Sequence, residues 1–208
     1  IPQGVDGSRD AQGFIMNKPR NTSCLNLPVL PVSSVEVSDF GDLDFGTGDF
    51  SVECWVQYGF INDSTFGLTG SALNVILSTG LASSTDTEGI NLLSTSGDFE
   101  FRLGDGDEER YLDIEPSSLT VGNWYHIVVT REGTALISYV NGDAAGAATH
   151  AYWGADVSRT EPLRIGDDRS SSGRQYKWPI DGVKFYSKVL SDTEVQRNYK
   201  ATKGSHRN

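Results

Sequence analysis

WYHIVVTREGTALISYVNG, running from Trp124 to Gly142, is the stretch whose reading decides the fold. Trp124 to Thr130 is rich in aromatic and β-branched residues, Arg131-Glu132-Gly133-Thr134 carries polar turn chemistry, and Ala135 to Val140 resumes a strand pattern. Together they predict a β-hairpin. Asn141-Gly142 follows, a pair that tolerates the positive φ angles of a type I′ turn, so a second reversal into Asp143 to Thr149 is expected. Three antiparallel strands in succession result.

Upstream, Val52, Cys54 and Val56 alternate with Ser51, Glu53, Trp55 and Gln57, a period of two with one apolar face and one mixed face. Short strands are also expected at Ser33 to Ser38, at Leu73 to Ser78 and at Ile90 to Leu93. Ser23 to Leu30 alternates weakly, and Pro28 and Pro31 confine it to an edge or a strand end. Phe99, Phe101 and Leu103 share one face of a further hairpin that turns at Gly104 to Asp107 and returns over Arg110 to Ile114. Downstream lie Leu163 to Gly166 and Ile180 to Ser187. Ser191-Asp192-Thr193-Glu194 has the form of a capping box, and Val195 and Tyr199, four residues apart, put one face of the resulting helix on the sandwich.

A chain of 208 residues suits one all-β domain and can bury a core without metals or disulfides. Residues 1–22 are expected to form an N-terminal arm, residues 23–203 the domain, and residues 204–208 a flexible tail. No apolar run reaches the 18 residues that a membrane helix needs. No signal-peptide pattern opens the chain, whose residue 1 is Ile, so it is expected to start after a processing site or within a longer polypeptide. The formal charge of −11 argues against nucleic acid as a partner. Between Arg20 and Arg102 there is neither Lys nor Arg, while acids such as Glu36, Asp49, Glu53, Asp98 and Glu100 accumulate. That interval reads as a solvated acidic surface, or as a cation site or docking face. Cys24 and Cys54 are the two cysteines. Cys54 lies on the apolar face of its strand, and two buried free thiols are expected, with a Cys24–Cys54 bridge as the alternative.

Three blocks, GDFSVECWV, NWYHIVVTREGTALISYVNG and IDGVKFYSKVLSDTEVQRNYKATKG, resemble the laminin G-like branch of the concanavalin A-like jelly rolls over Asp39 to Ala201. The resemblance implies an all-β, antiparallel β-sandwich jelly roll with one short C-terminal helix. Within that branch the blocks are similar to domains in structural proteins of tailed, especially marine, bacteriophages. This implies a non-catalytic surface or adhesion module on a virion, as capsid decoration or in the tail or fibre. Its partners would be other virion proteins, further copies of itself as a homo-oligomer, and host glycans. The alternative is an extracellular carbohydrate-binding module of a bacterial or eukaryotic adhesin or glycan-active enzyme.

The resemblance also implies a structural calcium (Ca2+) ion held by Asp181, with Asp49 nearby; the other reading of Asp181 is a strand-edge cap. For glycans, the loop aromatics Trp153 and Trp178, beside Tyr152 and Tyr176, are the expected stacking platforms. Asp168 and Arg169, with Asp167 and Arg174, would read hydroxyls. Trp55 and Trp124 match family core positions, as does His126. Catalysis is not expected: a glycanase needs two carboxylates across the scissile bond, and the retaining-glucanase pattern E-x-D-x-x-E is absent.

Overall fold

The computed structural model describes residues 14–15, 34–38, 44–59, 74–82, 87–95, 98–106, 110–114, 118–158, 161–168 and 174–206. Twelve strands are seen: β1 (Phe14–Ile15), β2 (Val35–Val37), β3 (Phe50–Gln57), β4 (Asn74–Ser78), β5 (Glu88–Ser94), β6 (Phe99–Asp105), β7 (Tyr111–Ile114), β8 (Trp124–Glu132), β9 (Ala135–Val140), β10 (Asp143–Thr149), β11 (Leu163–Ile165) and β12 (Ile180–Tyr186). Among the described residues one α-helix, α1 (Asp192–Thr202), follows these twelve strands. The strands form two antiparallel sheets, β1-β12-β3-β8-β9-β10 and β2-β11-β4-β5-β6-β7. The chain changes sheet after β1, β2, β3, β7, β10 and β11, so the domain is a jelly-roll sandwich. The expected strand over Ser23 to Leu30 lies outside the described residues, as does Cys24.

Local chemistry accounts for the central meander. Asn141 and Gly142 take φ angles of 55° and 89°, as a type I′ turn demands, and β10 folds back on β9. Phe50, Val52, Cys54 and Val56 point from β3 into the space between the sheets. There they meet Ile90, Leu92, Phe99, Phe101 and Leu103 of the second sheet in one continuous core. Cys54 is a free thiol, fully buried; burial, and then the Glu53 charge, push its pKa far up, so it packs as a small hydrophobe.

The outer face of β3 is buried too, because α1 lies across it. Ser191 caps the helix by accepting from Glu194 N, while the Glu194 carboxylate accepts from Ser191 N at 3.0 Å, completing the expected capping box. Val195, fully buried, packs with Val128, Tyr139 and Leu190 in a second, smaller core outside the first sheet. Burying one such side chain stabilises by about 1.5–3 kcal/mol.

At the centre of that contact lies Glu53, 1 % exposed. It accepts from Lys184 Nζ at 2.6 Å, Tyr186 OH at 2.8 Å and Asn198 Nδ2 at 2.7 Å. His126 Nε2 lies 3.2 Å from Glu53 Oε1. Burial pushes the Glu53 carboxyl up, but His126 and Lys184 outweigh it and hold the pKa at about 2. The acidic interval of the sequence is thus answered from elsewhere: Lys184 meets Glu53, and Arg164 meets Glu36 at 2.9 Å.

Candidate functional site

Period two decides which residues share the outer face of the first sheet. In the β3–β8 register Trp55 stands opposite His126, and Gln57 opposite Trp124. Trp124, two residues before His126, therefore lies on the same face as Trp55, as its diagonal neighbour. On the other side of β3, Asp181 pairs with Trp55, and the β12 register shifts between Asp181 and Lys184. Gly182 takes up that bulge at φ 59°. Asn141 of the type I′ turn closes a third side; its Oδ1 accepts from His126 N at 3.0 Å.

The end of α1 provides the roof. Trp55 Nε1 donates to Thr202 Oγ1 at 2.9 Å, and Thr202 Oγ1 donates in turn to Asn198 O at 2.8 Å. Tyr199 stacks on Trp55 with ring centroids 5.8 Å apart, and Lys203 Nζ lies 5.5 Å from the Tyr199 ring centre. A 3-10 turn, Lys203–Ser205, then carries His206 back under the helix. The His206 ring lies on Trp55 at 4.2 Å and 7°, and meets Trp124 edge-on at 4.8 Å. Its Nε2 donates to Asp181 Oδ2 at 2.8 Å, and its Nδ1 is 3.1 Å from Thr202 O.

These side chains enclose a cleft of about 340 Å³ lined by Trp55, Trp124, Asn141, Tyr199, Lys203, Gly204 and His206. Its walls combine the aromatic rings of Trp55, Trp124 and Tyr199 with the polar groups of Asn141, Lys203 and His206, a composition that can both stack on a ring-shaped ligand and hydrogen-bond to it. His206 belongs to the segment expected as a tail, yet it is buried at 8 % exposure.

The residues singled out in the sequence fall elsewhere. Trp153 is 3 % exposed and belongs to the main core. Trp178 packs partly buried against the same core, 5.7 Å from Tyr176, and a Cβ added at Gly59 would run into its indole. The two sit at opposite ends of β3: Arg131 reaches Trp153 O and Gly48 O at one end, and Pro179 O accepts from Gln57 N at the other. Asp168 is 1 % exposed and accepts from Arg174 Nη1 at 3.2 Å and Ala82 N at 3.3 Å. Asp167 accepts from Gln175 Nε2 at 3.2 Å; burial raises its carboxyl pKa. Arg169 lies outside the described residues. Trp153, Trp178 and Asp168 therefore do not assemble into one open site.

Asp49 and Asp181 are also apart and do not meet at one place in the fold. Asp181 pairs with Trp55, six residues along β3 from Asp49, a separation of roughly 20 Å at strand rise. Asp49 Oδ1 accepts from Gly133 N at 2.8 Å, and the positive charge beside it is the Arg131 guanidinium. Arg131 donates to Gly48 O at 2.9 Å, Ala155 O at 3.0 Å and Gly46 O at 2.8 Å, and lies over Phe50. A buried side-chain cation thus fills a ring of carbonyls beside an acid, and burial lowers its pKa to about 10. Among the described residues, no three His, Cys, Asp or Glu side chains gather as metal ligands.

What sequence reasoning missed was Trp55, Trp124, Tyr199 and His206 as one group. A signal existed: two tryptophans fall on the outward phase of paired strands, and Tyr199 lies four residues before Lys203 on the helix face turned to them.

Comparison with known proteins puts a family to this fold. The chain belongs to the concanavalin A-like lectin/glucanases superfamily, whose laminin G model matches residues 33–196. Among solved structures it is similar to the binding domain of Paraclostridial Mosquitocidal Protein 1, with a TM-score of 0.65 and 18 % identity over 91 % of this chain and 45 % of that one. It is also similar to the botulinum neurotoxin serotype G binding domain, with a TM-score of 0.63 and 15 % identity over 91 % of this chain and 42 % of that one. At such identities the likeness is one of fold, and the chain spans less than half the length of either structure. A search of curated protein sequences gives no match. Neither structure is a virion protein, so the expected likeness to phage domains rests on the sequence blocks alone.

Among the described residues no helix is long and apolar enough to cross a membrane.

Proposed function

We propose that the chain is a non-catalytic carbohydrate-binding module of a larger protein or assembly, and that it takes a sugar ring in the cleft between Trp55, Trp124 and Tyr199. The observation that carries this is the cleft itself: three aromatic rings on one outer face, with Asn141 and Asp181 beside them to read hydroxyls. The superfamily's lectin members and the binding domains of similar fold support the class. The non-catalytic part rests on the carboxylates. Hydrolysis of a glycosidic bond takes two of them astride the bond. Among the described residues no carboxylate lines the cleft; Asp181 lies behind His206, and Glu53 is locked beneath by Lys184, Tyr186 and Asn198.

Titration of a glycan panel followed by tryptophan fluorescence tests the reading. Binding in the weak range typical of small sugar sites is expected, together with its loss in Trp124→Ala, since Trp124 is the half-buried ring at the mouth. Binding that survives Trp124→Ala would move the site elsewhere, and release of reducing sugar from a polysaccharide would overturn the non-catalytic assignment.

We further read the module as a surface element of a virion, in capsid decoration or the tail, on the support of the three sequence blocks. An antibody against the chain should then label intact particles. Particles that lack it, alongside a secreted form, would favour the extracellular adhesin module instead.

A further inference from the structure

We propose that His206 is a tethered self-ligand: its imidazole occupies the inner half of the cleft, on Trp55 and against Asp181, where a neutral pyranose ring would otherwise sit. This rests on the carbohydrate reading and says how that site is occupied.

The imidazole does both things that a sugar ring does in an aromatic site. It lays a flat face on an indole, 4.2 Å from Trp55 at 7°, and it donates a hydrogen bond to a carboxylate, Nε2 to Asp181 Oδ2 at 2.8 Å. Trp124 closes on it edge-on at 4.8 Å. With the ring in place Trp55 is 3 % exposed, so the largest stacking surface of the cleft is unavailable to any outside molecule.

The segment that carries the ring is held by little else. Lys203, Gly204 and Ser205 are exposed, their 3-10 turn has no side-chain cap, and a Cβ at Gly204 would meet nothing within 4 Å. Short turns with few buried contacts open at low free-energy cost. The holding contacts are those of the imidazole, and a ligand that supplies equivalents can replace it. Vacating the slot exposes the Trp55 face, the Trp124 edge, the Asp181 carboxylate and the Asn141 amide. An acceptor-only carboxylate at the bottom selects hydroxyl donors and repels an acidic sugar. The expected ligand is therefore a neutral pyranose with an apolar face and adjacent hydroxyls.

The test titrates the full chain, His206→Ala, a chain ended after Lys203, and the double variant His206→Ala, Asp181→Asn. The probes are the methyl glycosides of glucose, galactose and N-acetylglucosamine, with glucuronic acid as the acidic control. Removing a competitor that occupies most molecules tightens apparent affinity by the reciprocal of the open fraction, about tenfold here. Both His206→Ala and the shortened chain should show it, and the double variant should lose binding. Equal or weaker binding in those two variants, with the full chain still binding, would show His206 to be a wall and overturn the proposal while leaving the carbohydrate reading intact. Preference for glucuronic acid would overturn the ligand class. No binding by any form would remove both. Because removal of His206 strips Asp181 of a partner, the unaltered chain supplies a measurement free of folding effects. The His206 ring protons, shifted upfield by the stacked indole, should move towards their unstacked positions as sugar is added. Resonances that stay in place at saturation would overturn the proposal.

Discussion

Two pairs of tryptophans divide the molecule. Trp153 and Trp178 occupy connecting segments, yet Trp153 is sealed in the main core and Trp178 lies against Gly59 and Tyr176. Trp55 and Trp124 occupy strands, yet they line the cleft. Chain position thus does not fix what a tryptophan packs on: Trp55 and Trp153 are each 3 % exposed, one under His206 on the outer face and one in the main core. A loop that crosses the end of a sandwich must cover the open core there, and large aromatics do this well. A strand has two faces, and what its outward face becomes depends on what crosses it. Here the short helix α1 crosses only part of the sheet, and the cleft opens where its last turn ends.

The largest expected effect separates the two pairs. Trp153→Ala should lower stability by about 3–5 kcal/mol, the cost of emptying a buried indole site, while the folded fraction keeps its sugar affinity. Trp124→Ala should do the reverse, with little change in melting temperature and loss of binding. Thermal melts paired with titrations read both, and a Trp153→Ala protein that is folded but no longer binds would break the distinction.

Glu53→Gln comes next, because it attacks the contact that seats the helix above the strand tryptophans. Removing one partner of a buried charge cluster costs about 3–5 kcal/mol. The pH dependence has a definite sign. The folded pKa of Glu53, about 2, lies below its ordinary 4.5, so the ionised carboxylate stabilises the fold at neutral pH. That stabilisation, about 3 kcal/mol from the size of the shift, fades as pH falls from about 4.5 through about 2. Glu100 and Asp167, raised by burial, act in the opposite direction. Denaturant melts across this range should therefore show a shallower acid limb in Glu53→Gln than in the parent, and identical limbs would refute the role of Glu53.

A smaller change sharpens the same point. Ser191→Ala removes the helix cap and should cost about 1 kcal/mol, with a modest weakening of sugar binding as the roof of the cleft loosens. Smallest of all is chelation. Asp49 and Asp181 are engaged by Gly133 and His206, so EDTA is expected to leave the melting temperature where it was, and a clear fall would restore a calcium ion held by other ligands.

Much of the fold was legible. The β8–β9–β10 meander is written in period-two alternation and an Asn-Gly turn, and the helix start in a Ser-x-x-Glu box; all are interactions between residues a few positions apart. The partner of β12 was not legible, because its neighbours β1 and β3 are joined to it only through long stretches of chain. The candidate site suffered for the same reason. Trp55 and Trp124 were recognised as strand residues of the sandwich, and Trp55 is indeed buried, but its covering comes from His206, well over a hundred residues later. Asp181 was expected as a calcium ligand or a strand-edge cap; its imidazole partner, His206, could not be read from its neighbours.

By itself, then, the order of residues settled the class of architecture, the two turns of the central meander, the position of the helix and the acidic balance of the chain. These follow from backbone preferences and side-chain periodicity, which act over one turn or one strand. Tertiary structure alone decided which acids are neutralised, which tryptophans are covered and where a cleft remains. Those outcomes hang on pairs such as Asn198 with Glu53, 145 residues apart, and Trp55 with Thr202, 147 apart. No local pattern encodes such a meeting, because it is the closure of both sheets that brings β3 and α1 to one face.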